Sequence, residues 1–281
     1  VGLETRRNGA NKWNSGDHYG LAMPQLYVEF AYNDLSVKVG HFYTIIGNEV
    51  VTAPDNFFYS HAYTMQYGEP FTHTGVLADY KWSDSVTLLG GIHGGWDNFD
   101  PVRQRAGFLG GATWHNSDET VNLAVMLTSG DELNAMGNFS NRTMYSVVAS
   151  LGLTDNLDYV IQHDNGWQDD WFGANQDAEW YGLNQYLMYT INDCWKAGAR
   201  FEWFRDDDGT RVAGVRNGNP AGGPFVGNFY EATVGLNWTP ANNLVVRPEL
   251  RWDWFNGTGM PYDGGTKTEQ FTAAFDAIVT F

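Results

Sequence analysis

The feature that most limits the fold of this chain is a two-residue rhythm that runs to its last side chain. From Gln270 to Phe281, Phe271, Ala273, Phe275, Ala277, Val279 and Phe281 share one face, while Thr272, Ala274, Asp276 and Thr280 share the other. Successive side chains of a strand point to opposite faces, so this stretch is a strand with one greasy and one mostly polar face. Such a strand has two uses. In a water-soluble sheet the greasy face covers a core; in an outer-membrane barrel it meets lipid and the polar face lines a wet lumen.

The rhythm recurs along the chain, and the connections decide between the two uses. Short links at Asn33-Asp34, Ser83 to Ser85, Thr154 to Asn156, Asn192-Asp193 and Thr239-Pro240 alternate with long ones at Asp97 to Arg105, Asp131 to Asn141, Asn165 to Asp177, Asp206 to Asn228 and Asn256 to Glu269. Short turns at one end and long loops at the other are the pattern of an outer-membrane barrel. Tyr32, Trp82, Trp114, Trp195, Trp238 and Phe281 all sit on the apolar face beside short turns or at the chain end, which makes one aromatic belt at one membrane interface. Trp203, Tyr230, Trp252 and Phe271 are placed for a second. A soluble sandwich or secreted sugar-binding protein would not sort its aromatics by depth. The expectation is therefore an all-β fold: a transmembrane antiparallel up-and-down β-barrel of about fourteen strands, with twelve or sixteen as the alternatives. That count takes Val1 to Glu4 as the tail of a strand, with an export signal lying outside the given sequence. The whole of 1–281 is expected to be a single barrel domain.

Register follows from the turns. If Tyr32 pairs with Leu35 across the two-residue turn, Glu29 falls opposite Lys38 on the polar face.

Composition narrows the function. Sixteen per cent of the residues are aromatic, and 33 Gly with 9 Pro suit many strands and turns. Mean hydropathy is −0.39, and no apolar run approaches the length of a membrane helix. A net charge of −17 argues against nucleic acid as a partner. The single Cys194 can form no internal disulfide and has no zinc-ligand spacing around it. No cofactor is implied. The seven histidines form no visible Ser-His-Asp set, so an enzyme is not expected. Asp206, Asp207 and Asp208 before Gly209 look like the start of a calcium loop, but the remaining spacing fails and a solvated acidic tip is expected.

The polar faces carry the candidate site. Arg200 and Glu202 alternate on one strand, and Arg247, Glu249, Arg251 and Asp253 on another; with Glu29 and Lys38 they are expected to line the pore and bias what passes. The competing use of these charges is to pair with one another and stiffen the wall. Between the strands, residues 43–72 break the alternation with a long aromatic stretch dotted with Gly and Pro. Loops of this length are usually functional, and an ordered one rich in aromatics folds against something. A fold into the lumen would make Glu49, Asp55, His61, Glu69 and His73 candidates for a constriction; an external lid is the alternative.

The block GHFYTIIGNEVVTAPDNFFYSHAYTMQYGEPFTHTGVLADY (Gly40 to Tyr80), with EWYGLNQYLMY (Glu179 to Tyr189) and RFEWFRDDDG (Arg200 to Gly209), resembles the OmpL-like β-barrel porin family over nearly the whole chain. The resemblance implies a bacterial outer-membrane barrel with porin function, and no catalytic residues carry over from it. A terminal aromatic such as Phe281 looks like the signal that the insertion machinery reads in such barrels.

Together these readings predict passive diffusion of small hydrophilic solutes or ions through a charge-lined lumen. The alternative is a plugged, structural barrel whose acidic loops bind a surface layer or partner protein. The expected surroundings are outer-membrane lipid and lipopolysaccharide, with a homo-oligomer such as a trimer as a further expectation.

Overall fold

The alternating stretches become thirteen antiparallel strands in one sheet, each hydrogen-bonded to its neighbours in sequence. The computed structural model describes residues 6–7, 11–12, 23–99, 105–212 and 225–281. Two short strands, β1 (Arg6–Arg7) and β2 (Asn11–Lys12), pair with each other. The sheet starts with β3 (Leu26–Tyr32), β4 (Leu35–Tyr43), β5 (Thr72–Lys81), β6 (Val86–His93) and β7 (Gly107–His115). It continues through β8 (Val121–Leu133), β9 (Phe139–Thr154), β10 (Leu157–Gln168) and β11 (Ala178–Asn192). It ends with β12 (Trp195–Asp206), β13 (Gly227–Ala241), β14 (Leu244–Gly257) and β15 (Glu269–Val279). Among the described residues β3 and β15 are the two ends of the sheet. The strand expected at Val1 to Glu4 lies outside the described residues.

The first hairpin has the register that the turn dictates, with Tyr32 opposite Leu35 and Glu29 opposite Lys38. Asn33 supplies the positive φ (50°) that a two-residue turn needs. One turn sits later than the sequence suggests. β13 runs through Thr239-Pro240 to Ala241, and its ladder with β14 slips between Trp238 and Ala241. Proline donates no backbone hydrogen bond, and a bulge is where a strand can absorb one. The long connections are also shorter than the apolar rhythm implies. β8 extends to Leu133 and β9 begins at Phe139, because strands go on pairing with polar residues past the point where greasy ones stop.

Burial along the strands is inverted relative to a soluble sheet. Phe275 is 73 % exposed and Leu250 48 %, and Ile92, Phe108, Val234, Trp252 and Phe271 are likewise exposed. On the opposite face of the same strands Glu202, Glu231 and Asp253 are wholly buried. A sheet in water would gain nothing from that arrangement, since greasy surface stabilises only when it leaves water. Lipid removes the contradiction.

The sheet curves around residues 44–71, which leave β4 and return to β5 along its inner face. They meet Gln162 of β10, Tyr186 of β11, Glu202 of β12 and Glu249 of β14. A single segment reaches strands that far apart only if the sheet wraps around it.

Candidate functional site

The segment is shaped first by its own contacts. Asn56 accepts the Val50 amide at 2.9 Å and donates to the carbonyls of Val50 and Thr52 at 2.6 and 3.0 Å, which closes a tight loop around the short helical turn Ala53–Asp55. A second turn, Thr64–Gly68, follows after an extended stretch. The helical dipole and the free amides at its start favour an acid there. Glu202 supplies it, accepting the Tyr63 amide at 2.5 Å and the Thr64 amide at 2.6 Å.

Three arginines of the wall then grip the segment. Arg200 Nη1 donates to Glu49 Oε1 at 2.6 Å and to the Ser60 carbonyl at 2.8 Å, while its Nε donates to Glu231 Oε1 at 2.5 Å. Its guanidinium lies 5.0 Å from the centre of the Phe58 ring. Arg247 donates to the carbonyls of Ala53 and Asn56 at 2.9 and 2.6 Å and pairs with Asp276 at 2.5 Å. Arg251 reaches the His61 carbonyl at 2.6 Å and pairs with Asp253 at 2.6 Å. Glu249 completes the set by accepting the amides of Tyr59 and Ser60 at 2.9 and 3.1 Å. Burial leaves room for the segment at one strand in particular. A side chain at Gly198 would collide with the Phe57 ring.

The order of these contacts gives the path. Arg247 lies near the start of β14, beside the short-turn end, so Ala53–Asn56 form the lowest point of the segment. Trp180, opposite Asp206 near the long-loop end, donates to the Gly68 carbonyl at 2.9 Å. The chain descends the inner wall and climbs back. At the upper end Phe42, Tyr63, Trp96, Trp180, Phe204 and Phe229 pack into one buried cluster. Arg211 lies 4.5 Å from the Trp180 ring centre and 5.2 Å from that of Trp96, a cation between two π faces.

The residues singled out in the sequence occupy different environments. Arg200, Glu202, Arg247, Glu249 and Asp253 are buried beneath the segment, and Arg251 is nearly so, rather than facing open water. Each charge has a partner: Arg200, Arg247, Arg251 and Asp253 are ion-paired, while Glu202 and Glu249 accept backbone amides of the segment. Glu29 and Lys38 stay outside this network on β3 and β4. Of the loop candidates, Asp55 is exposed at the tip and accepts the Thr52 hydroxyl at 2.6 Å. His61 is half-buried with Nδ1 2.9 Å from Glu49. Glu69 is buried and accepts Gln162 Nε2 at 2.6 Å, the same nitrogen that donates to Asp164 at 2.9 Å. His73 belongs to β5, where its ring lies 4.6 Å from that of His93. Asp206 is not a solvated tip. It is buried and accepts the amides of Thr210, Arg211 and Val212 at 2.8 to 2.9 Å.

Two buried carboxyls of the segment are driven in opposite directions. Burial alone would raise Glu49, but the guanidinium of Arg200, the hydrogen bond and charge of His61 and the Ala62 amide outweigh it and hold the carboxyl at about 2. For Glu69, burial, reinforced by the charge of Asp164, pushes the carboxyl well above the usual carboxylate range. Gly47 sits against that carboxyl with φ 86°, and a side chain there would strike it.

Sequence reasoning passed over Glu231, the wall partner of Arg200, and put Asp276 on the lumen face without pairing it with Arg247. The alternation was the available signal, since Glu231 falls directly opposite Glu202 and Asp276 opposite Arg247.

Tyr32, Trp82, Trp114 and Trp238 are exposed beside short turns, Trp195 stacks on Trp238 with ring centres 5.6 Å apart, and Phe281 projects at the chain end.

A greasy outer face, a charged inner face and short turns opposite long loops define an outer-membrane β-barrel, and the likeness to solved structures is of the same kind. The outer-membrane channel DcaP of Acinetobacter baumannii superposes with a TM-score of 0.60 at 11 % identity, covering 90 % of this chain and 72 % of that one. OprB of Pseudomonas putida gives 0.58 at 14 %, covering 90 % and 71 %. The trimer form of OmpT of Vibrio cholerae gives 0.54 at 16 %, covering 94 % and 80 %. A search of curated proteins finds no match. The chain belongs to the family described as "Putative beta-barrel porin-2, OmpL-like", whose family model matches residues 3–281. It is a bacterial outer-membrane porin, a channel rather than an enzyme.

Proposed function

We propose that this porin lets small hydrophilic solutes or ions diffuse passively along its inner face, and that residues 43–72 set the width of the passage. One observation carries the reading: a segment long enough to fill a lumen is fastened by buried polar and charged groups to one side of the wall, β10 to β14, and encloses a crevice of about 170 Å³ between its own limbs. A fixed constriction that screens solutes by size and charge needs that rigidity, because a loose loop would present no definite opening. The whole chain acts as one barrel domain in this account. Outer-membrane lipid and lipopolysaccharide surround its apolar face, and a trimer like the OmpT form is the assembly we favour.

The packed aromatic cluster at the upper end supports a second reading, a plugged barrel whose acidic loops bind a surface protein. Swelling of liposomes in sugars of graded size separates the two. Diffusion predicts swelling that falls steeply as the sugar grows, with entry of the smallest. Liposomes holding folded, inserted protein that admit no sugar at all would reject the porin reading in favour of the plug.

A further inference from the structure

The charges that touch a permeating ion are those the buried network has not consumed. Arg200 is shared by Glu49 and Glu231, Arg247 is held by Asp276, and Arg251 by Asp253. None of these cations is left to attract an anion. Carboxyls are in excess on the same face: nine Asp and Glu side chains are buried among the described residues, against four arginines and no lysine.

Below the network, towards the short turns, register identifies which exposed side chains face inward. Asp79 lies opposite Ser36 of β4 and Leu89 of β6, on the face that carries buried His73 and Leu77. Asp158 lies opposite Gly152 and Met188, on the face of buried Val160 and Gln162. Asp55 is exposed at the tip of the segment. The inward cations are fewer in effect. Lys38 lies opposite Glu29, an acid on the same face, with its ammonium 5.3 Å from the centre of the Tyr27 ring, and Lys81 turns to Asp84, 3.5 Å away on its own turn. Lys196, opposite Thr190 and Asn237, is the remaining one among the described residues. The crevice within the segment is lined by Tyr43 and by residues between Thr44 and Pro70, among them the exposed Asp55, and by no basic residue.

Low-dielectric walls focus the field of their charges into a narrow aqueous space, so a modest excess of one sign biases which ions enter. We infer that the channel passes cations in preference to anions, with Asp55, Asp79 and Asp158 as the side chains that set the preference. The inference rests on the diffusion reading above.

The test is the reversal potential of the full chain in planar bilayers under an about tenfold potassium chloride gradient. A cation-to-anion permeability ratio above about 2 is expected, falling by roughly half in a variant carrying Asp55→Asn, Asp79→Asn and Asp158→Asn, while single-channel current is retained. Lys196→Gln is expected to move the ratio the other way. A conducting channel with a ratio of one or below overturns the inference and leaves the porin reading standing. So does a cation-selective channel whose ratio the acidic substitutions leave unchanged, as regards the named residues. If the triple variant fails to insert, the three single variants are compared instead. Absence of current from inserted protein would overturn both the diffusion reading and the preference built on it.

Discussion

Arg200→Gln is expected to destabilise the folded protein by about 3–5 kcal/mol, the usual effect of removing one member of a buried ion pair. The side chain is wholly buried, and its donors reach Glu49 and Ser60 on the segment and Glu231 on the wall. Glutamine cannot replace the charge, so Glu49 would lose its arginine in a low-dielectric site and Glu231 would keep only the more distant Arg251, 3.8 Å away. Thermal unfolding in detergent, followed by gel mobility, measures the effect; a midpoint equal to the parent's would show that the network does not hold the segment. Acid supplies an independent arm. Glu49 is ordinarily near 4.5 and is held at about 2 here, so its contribution to docking is complete above pH 4.5 and is lost as the pH falls towards 2. That loss should be much smaller in Arg200→Gln, where the link is already gone.

Leu250→Arg is expected to cost about 2–4 kcal/mol or to block insertion, because its position in mid-strand on the outer face places a charge in the hydrocarbon layer. Leu250 is half exposed, opposite Val234 and Ala273. In a water-soluble sheet the same replacement of an exposed leucine would fall within roughly ±0.5 kcal/mol. Ser150→Arg is the control, on the inner face beside Asn122 and Val160. Folding yield into lipid vesicles distinguishes them. Equal yields for the two variants would contradict the assignment of the greasy face to lipid.

Alternation and turn lengths made the sheet legible because each strand's two faces meet different solvents, and a local pattern records that difference. Glu29 opposite Lys38 could be read from one turn. The turn at Thr239-Pro240 could not, because a proline that usually ends a strand is here absorbed by a slipped ladder. The segment was visible as a break in rhythm, but its fastening was not. Arg247 and Arg251 bind the backbone carbonyls of Ala53, Asn56 and His61, groups that every residue possesses and no composition reveals. The partners are also 190 or more residues apart in the chain. A row of Arg, Glu, Arg and Asp therefore looks the same whether it faces water or a docked loop. Only the curvature of the sheet tells the two apart.

If residues 43–72 narrow a water-filled lumen, single-channel conductance reports it. Tyr43 and Thr72 already lie opposite each other at the ends of β4 and β5, so residues 45–70 can be replaced by a short Gly-Ser turn without moving either strand. The wall charges they cover would then be solvated. Conductance should rise several-fold over that of the intact protein. An unchanged conductance, in a variant that folds and inserts, would show that the segment does not narrow the passage.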